Sequence, residues 1–441
     1  MQIVLLIKRF ASVLSRAFYC YSAMNVLVEH QCPQCGAPVI LKETDRIFAC
    51  GYCRVKSYLS AEDYFCYMLP NRSDGSRPLV FFPYWRFRGM LFSCFHDEID
   101  QRFIDFSYRA KHAPQFPPSV GLRSQTLKLK FVSRETTGRF LYPTLSVAEL
   151  MNIFARRFNP CLSQPVLYQA VVGETFSLIY SPFYIASDTG EQCRGQLFDA
   201  VLNKPVSDLT LEDADISLYP GGAPNRQVRL IPTLCPECGW DMDAERDALV
   251  LICKNCSSVW KSRGNGFEKL PVAHKPETGD NIIYLPFWKI RAEVSGLTLD
   301  SYADMVSIAN LPRMFQKSQL SERFCFWTAA FKVRPRIFLT LCRNMTLSQP
   351  RKELIHSPPA GRCFPVTLPA EEAAQSLKII LAGFMKPRKI LFSRLGEIKV
   401  APNDFLLVYV PFQESAHEFI QPEFLMAVSK KMLELTGNQG M

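Results

Sequence analysis

Residues 32–53 read CPQCGAPVILKETDRIFACGYC, and residues 235–256 read CPECGWDMDAERDALVLICKNC. Both have the form C-x2-C-x14-C-x2-C, supplying Cys32, Cys35, Cys50 and Cys53 in one copy and Cys235, Cys238, Cys253 and Cys256 in the other. Two residues between cysteines let the chain turn so that both thiolates reach one ion at about 2.3 Å, and two such knuckles on short hairpins complete a tetrahedral four-sulfur shell. Gly36 and Gly239 follow the first knuckles and permit the positive φ that a knuckle's exit requires. Four thiolates leave no position for water, so such an ion is structural and cannot act as a hydrolytic Lewis acid. The spacing therefore predicts two structural zinc ions per chain, with a four-sulfur iron site as the alternative that uses similar knuckles. A redox CxxC would open a helix after a strand, whereas these pairs sit in hairpins.

Each of these segments resembles the zinc ribbon of the transcription factor IIB type, which occurs in transcription, replication and adaptor proteins. The resemblance implies the eight cysteines as metal ligands and assigns no other residue. The chain as a whole is similar to bacterial proteins with duplicated ribbons and a repeated aromatic-proline motif. Such proteins are sometimes labelled relatives of the primosomal helicase. This chain has no GKS/T phosphate loop or helicase motif, and that helicase's ribbons interleave differently.

The register between the ribbons persists outward. FFPYWRFR contains Pro83, Trp85 and Arg88, and YLPFWKIR contains Pro286, Trp288 and Arg291 at the same offset. Leu127–Lys130 pairs with Phe331–Arg334 after a one-residue shift, Thr144–Glu149 with Thr367–Glu372, and Ile179–Phe183 with Val408–Phe412. Features recurring in one order predict an internal duplication. Alternation in YLPFWKIR predicts a half-buried strand with Trp288 and Ile290 on one face, its proline placing it at an edge or a strand start. Lys128 and Lys130, and likewise Lys332, Arg334 and Arg336, are expected along one face of a strand. Thr144 and Thr367 are expected to cap helices whose early glutamates suit the positive helix end. Residues 422–435 read as a last amphipathic helix with Phe424, Leu425, Val428, Met432 and Leu435 on one side.

The predicted architecture is α+β and β-rich, each half a four-cysteine zinc ribbon followed by a mixed β/α domain. The expected division is an extension at 1–24, ribbons at 25–66 and 230–270, β/α domains at 67–202 and 271–441, and an acidic linker at 203–229. A content of 33 Phe and 16 Tyr agrees with aromatic β cores. In residues 1–23 an apolar stretch precedes the basic residues, the reverse of a signal peptide. That segment reads as a basic amphipathic helix able to lie on a membrane surface, or as an extension ahead of a start at Met24. No apolar run approaches a membrane span, and a large chain with eight of its 16 cysteines in CxxC pairs suits a reducing compartment. A cytoplasmic protein is the expectation.

The net charge of +10 is uneven: residues 301–400 hold 16 Lys/Arg against 6 Asp/Glu, and 201–250 hold 4 against 9. Localised positive charge is where a polyanion docks. Lys128, Lys130, Lys332, Arg334 and Arg336 are the candidate polyanion-binding residues. WRFR and FWKIR read either as aromatic-plus-cation recognition of single strands or, more simply, as amphipathic strands with their rings in the core. His30 stands two residues before Cys32, within reach of the thiolates, and His96-Asp97-Glu98 is an acid/base cluster without metal-protease spacing. No nucleophile elbow or kinase-like set occurs. The sequence thus favours a non-catalytic adaptor for protein partners. The alternative is a protein that binds single-stranded nucleic acid through basic strand faces.

Overall fold

A computed structural model describes residues 26–73, 77–162, 164–185, 195–206, 219–224, 226–277, 279, 281–312, 322–350, 354–388 and 392–437. The segment 1–23 lies outside the described residues, as does 207–218 of the acidic run. Strand outweighs helix, 41% to 16%, in keeping with a β-rich α+β chain. Among the described residues no helix is long and apolar enough to cross a membrane.

The chain forms two compact units. The first comprises Met1–Arg88, Ile104–Ser163 and Thr175–Pro232, and the second Gly89–Phe103, Gln164–Glu174 and Thr233–Met441. The division expected from sequence follows chain order, whereas these units interleave. The reason is apolar: Met90, Phe92, Cys94 and Val172 belong to one buried cluster with Leu285, Phe338 and Ile379 of the second unit.

The strand Val80–Cys94 begins in the first unit, where it carries FPYWRFR, and continues past Arg88 into the second. Side chains alternate across a pleat, so Phe82 and Tyr84 enter one apolar cluster and Phe81 and Trp85 another. Arg139–Leu141 runs parallel to it, and Phe65–Met68 runs parallel to Tyr168–Ile185. A chain of hydrogen bonds ties the proline motif to the next helix. The Ala110 amide donates to Pro83 O (2.9 Å), the Thr144 and Leu145 amides donate to Ala110 O (2.9 Å each), and Trp85 Nε1 donates to Leu145 O (2.8 Å).

In the second unit Ile282–Ser295 pairs antiparallel with Lys399–Glu414, from Ile282 opposite Gln413 to Ser295 opposite Lys399. Arg362–Cys363 runs parallel to the former and Val272–His274 parallel to the latter. The Ala330 amide donates to Pro286 O, and the Thr367 and Leu368 amides to Ala330 O, all at 3.0 Å. Trp288 Nε1 donates to Leu368 O at 2.9 Å. Trp85 and Trp288 are 4% and 3% exposed, so both rings are core. Pro286 stands inside a strand paired on both sides, not at an edge as expected; its carbonyl is used and only its missing N–H goes without a partner.

Several local expectations are corrected. Lys332–Arg334 lies outside any strand, and Pro335–Ser348 is a helix. Pro335 occupies its first turn, where a missing N–H costs nothing. The five-residue alternation there was too short to distinguish a strand from a helix entrance, while Phe338, Leu341, Cys342 and Met345, all buried, carry the helical period. Thr144 does not cap: Ser146 caps Val147–Phe158 in a capping box with Glu149. Pro369 precedes Ala370–Ala374 without a side-chain cap, and Thr367 Oγ1 instead accepts from the Lys332 amide at 2.8 Å. Residues 426–429 form a strand, and the terminal helix is Lys430–Gly437. Met426 and Val428 are buried at period two, while Leu425, 89% exposed with φ +51°, sits in the preceding turn.

The ends of the expected acidic linker are structured. Gly221–Gly222 pairs with Arg139–Leu141, and Arg229–Pro232 pairs with Lys56–Ser60.

Candidate metal centres and cationic residues

In the first ribbon Leu27–Gln31 and Pro38–Lys42 form an antiparallel hairpin with Cys32 and Cys35 at its tip. Ile47–Ala49 and Lys56–Ser60 form the second hairpin, with Cys50 and Cys53 at its tip. The Cys32 amide donates to Ala37 O (2.8 Å) and the Gly36 amide to Cys32 O (2.9 Å). In the second ribbon the Cys235 amide donates to Trp240 O and the Gly239 amide to Cys235 O at the same two distances. Gly36 and Gly239 both stand at φ +71°, as their place in the motif predicts. Val250–Cys253 and Ser258–Arg263 then carry Cys253 and Cys256 between them.

Each set of four sulfurs lies within 4.8 Å. Sγ···Sγ separations are 3.6 Å for Cys32–Cys53 and Cys35–Cys50, and 3.6 and 3.5 Å for Cys235–Cys256 and Cys238–Cys253. A tetrahedral ion with metal–sulfur bonds of about 2.3 Å needs edges near ~3.8 Å. The two quartets fit zinc-ribbon sites, and they could hold two zinc ions. Bound there, zinc would tie the two knuckles of each ribbon together, and its closed thiolate shell would offer no catalytic position.

Proton sharing within the quartets is uneven. The Cys53 amide, ahead of other donors, holds the Cys50 thiol down to about 6. The Val55 amide pulls the Cys53 thiol down, but desolvation and hydrogen bonds to Cys32, Cys50 and Cys35 outweigh it and push it up to about 12. A divalent cation displaces such shared protons. The second quartet has an outer partner that the first lacks. Ser258 Oγ lies 2.8 Å from Cys256 Sγ and accepts the Trp260 indole N–H at 2.7 Å, whereas Val55 holds the corresponding position in the first ribbon. Contacts of this kind orient metal ligands.

His30 does not bond the thiolates. Its ring packs edge-on to Phe48 and Phe131, at 5.8 and 5.4 Å between centroids, and burial lowers its pKa. His96-Asp97-Glu98 forms the turn in which the Phe95 amide donates to Glu98 O. Lys130 lies within the short strand Leu129–Phe131 and Lys128 immediately before it, and both lie against Glu29, at 3.3 Å for Lys128 and 3.9 Å for Lys130. Lys332, Arg334 and Arg336 form no strand row, since Arg334 is the N-cap and Arg336 lies in the first helical turn.

The ribbons also carry exposed rings that are no part of the cysteine motif. Tyr52, between Cys50 and Cys53, is 75% exposed, and Trp240, two residues after Cys238, is 61% exposed. Their adjacency to knuckles was the available signal, since a knuckle tip has no core in which to bury a ring.

In comparisons with protein-family models, with curated proteins and with solved structures, nothing matches this chain.

Proposed function

We propose that the protein is a non-catalytic, zinc-stabilised adaptor whose ribbons, of the transcription factor IIB type, dock protein partners. The carrying observation is that each closed thiolate quartet presents a large aromatic ring to solvent, Tyr52 on one and Trp240 on the other. Aromatic anchors beside a rigid support are the usual source of binding energy at protein interfaces. The test is affinity capture from the native cell with and without nuclease, using the natural chain and the Tyr52→Ala and Trp240→Ala variants. Partners retained after nuclease and lost with either variant, at unchanged zinc content, support the adaptor. Capture that disappears with nuclease refutes it.

We further infer that the adaptor arose by internal duplication. Supporting this, Pro83/Pro286, Ala110/Ala330, Leu145/Leu368 and Trp85/Trp288 make the same hydrogen bonds in the same order. So do Leu69 and Lys275, whose amides donate to Tyr180 O and Tyr409 O at 2.9 and 3.0 Å. On this reading the partner of Phe331 is Lys111 rather than a residue of Leu127–Lys130. An experimental structure in which Trp85 and Trp288 occupy unrelated strands would overturn it. The alternative nucleic-acid reading rests on ribbon kinship and localised charge; of its candidate cations, Lys332, Arg334 and Arg336 form no strand row, and Lys128 and Lys130 pair with Glu29.

A further inference from the structure

The first unit has a cleft whose lining no sequence motif announced. A cavity of about 380 Å³ is bounded by Tyr64, Trp85, Tyr142, Leu145, Tyr180 and Arg226. A second of about 160 Å³ shares Tyr64 and Arg226 with it and adds Arg134 and Arg229. One end is therefore aromatic and the other carries guanidinium groups. The larger space lies in the range of small-molecule sites, about 300–1,000 Å³.

The rings are fixed. Tyr64 meets Trp85 edge-on at 4.7 Å, Tyr180 meets Phe140 at 4.9 Å, and the Arg226 guanidinium stands 4.5 Å from the centre of the Tyr64 ring while pairing with Asp63 at 2.7 Å. Tyr142 differs: it is 37% exposed, stacks on no ring among the described residues and lines the larger cavity. Arg134 is exposed in the turn after Val132 and has no ion pair among the described residues. Arg229 pairs with Glu62 at the longer distance of 3.9 Å.

Charge decides what such a space accepts. An aromatic cage alone would suit a quaternary ammonium. Here Arg226 is paired with Asp63 and Arg229 with Glu62, which also lines the smaller cavity, so Arg134 supplies the unbalanced positive charge that favours an anion over a cation. A flat ring with an anionic tail satisfies both ends, the ring against Tyr142 and the tail on Arg134. At the corresponding place in the second unit the Leu249 amide of the ribbon donates to Val366 O at 2.8 Å, two residues before the Leu368 carbonyl that receives Trp288.

We propose that this cleft binds a nucleoside monophosphate unit, the base stacking on Tyr142 and the phosphate engaging Arg134 and Arg229. The unit is either a free mononucleotide or one residue of a single strand, and stacking admits any base.

The test is tryptophan fluorescence with AMP and UMP, with adenosine, ribose 5-phosphate and choline as partial ligands, and with an eight-nucleotide oligo(dT). AMP and UMP should bind saturably and comparably, with adenosine and ribose 5-phosphate each about tenfold weaker or more. Arg134→Gln, at an exposed position, should weaken AMP about tenfold. Tyr142→Ala should weaken it about fivefold or more. Both variants should retain the natural circular dichroism and zinc content. Oligo(dT) binding more than tenfold tighter than UMP, with a steep salt dependence, assigns the site to single strands; equal or weaker binding assigns it to free nucleotides. No saturable response to any nucleotide, binding of choline, or AMP affinity unchanged in both variants overturns the proposal.

Discussion

Arg86 offers the sharpest test of how the first unit is held together. Its side chain is 2% exposed and meets Glu43 Oε2 at 2.6 Å and Asp105 Oδ2 at 2.8 Å, with those carboxylates themselves nearly buried. A second guanidinium nitrogen reaches Asp105 Oδ1 at 3.0 Å, making that pairing bidentate. Ser177 Oγ donates to Glu43, and Gln125 Nε2 donates to Asp105. Desolvation opposes the arginine's charge, but Glu43 and Asp105 more than compensate and raise its pKa. Replacing Arg86 with Met leaves two buried carboxylates without their cation, at a cost of about 3–5 kcal/mol. Replacing the whole group (Arg86→Met, Glu43→Gln, Asp105→Asn) removes the orphaned charge and should recover most of that loss. Because the chain has two units, global unfolding need not be two-state. Hydrogen exchange in Val80–Cys94 is the suitable assay, and the single variant should lose roughly two to four decades of protection there. A loss below one decade, or a triple variant as damaged as the single one, would refute the reasoning.

Three other outcomes are expected. Elemental analysis should find two zinc ions per chain, falling to one when Cys238 and Cys253 are replaced by Ser; one ion or none on the folded natural protein contradicts the paired quartets. Trp288→Phe keeps the ring but strands the Leu368 carbonyl in the core, and should cost about 1–3 kcal/mol by denaturant titration, with Trp85→Phe giving a loss of similar sign. Ser301 caps Tyr302–Ile308 in a capping box with Asp304, so Ser301→Ala should cost about 1 kcal/mol. Desolvation would raise the Asp304 pKa, but hydrogen bonds from Ser301 and the Asp300 amide lower it overall. A carboxylate held below its unfolded value stabilises the fold above that value and stops doing so as pH falls through the folded one. The natural protein should therefore lose this contribution between about pH 4 and its lower folded pKa, and Ser301→Ala should flatten that part of the profile.

What could be read from the sequence was local chemistry with a fixed spacing. The cysteine quartets close where C-x2-C-x14-C-x2-C places them, and Trp85 and Trp288 are buried in strands as alternation required. Thr144–Glu149 and Thr367–Glu372 enter helices through matching backbone bonds, although Ser146 and not Thr144 does the capping. Short patterns failed where two periods fit the same residues: Lys332–Arg336 alternates like a strand, yet its second half begins a helix. Nothing local could reveal Arg86 between Glu43 and Asp105, or a cleft joining Tyr64, Tyr142 and Arg226, because those partners meet only through long-range strand pairing.

The interleaving of the two units bears on how the chain is made. Met90, Phe92, Cys94 and Val172 leave the ribosome long before Leu285, Phe338 and Ile379, the residues with which they form a core. At about 5–20 residues per second, the interval from residue 174 to residue 379 is roughly ten to forty seconds. During that time these apolar strand segments wait without their cover, exposed to chaperones or to a neighbouring nascent chain. Cutting the gene between the ribbons would make the exposure permanent: residues 1–232 should aggregate when expressed alone, and the remainder should lack part of its core.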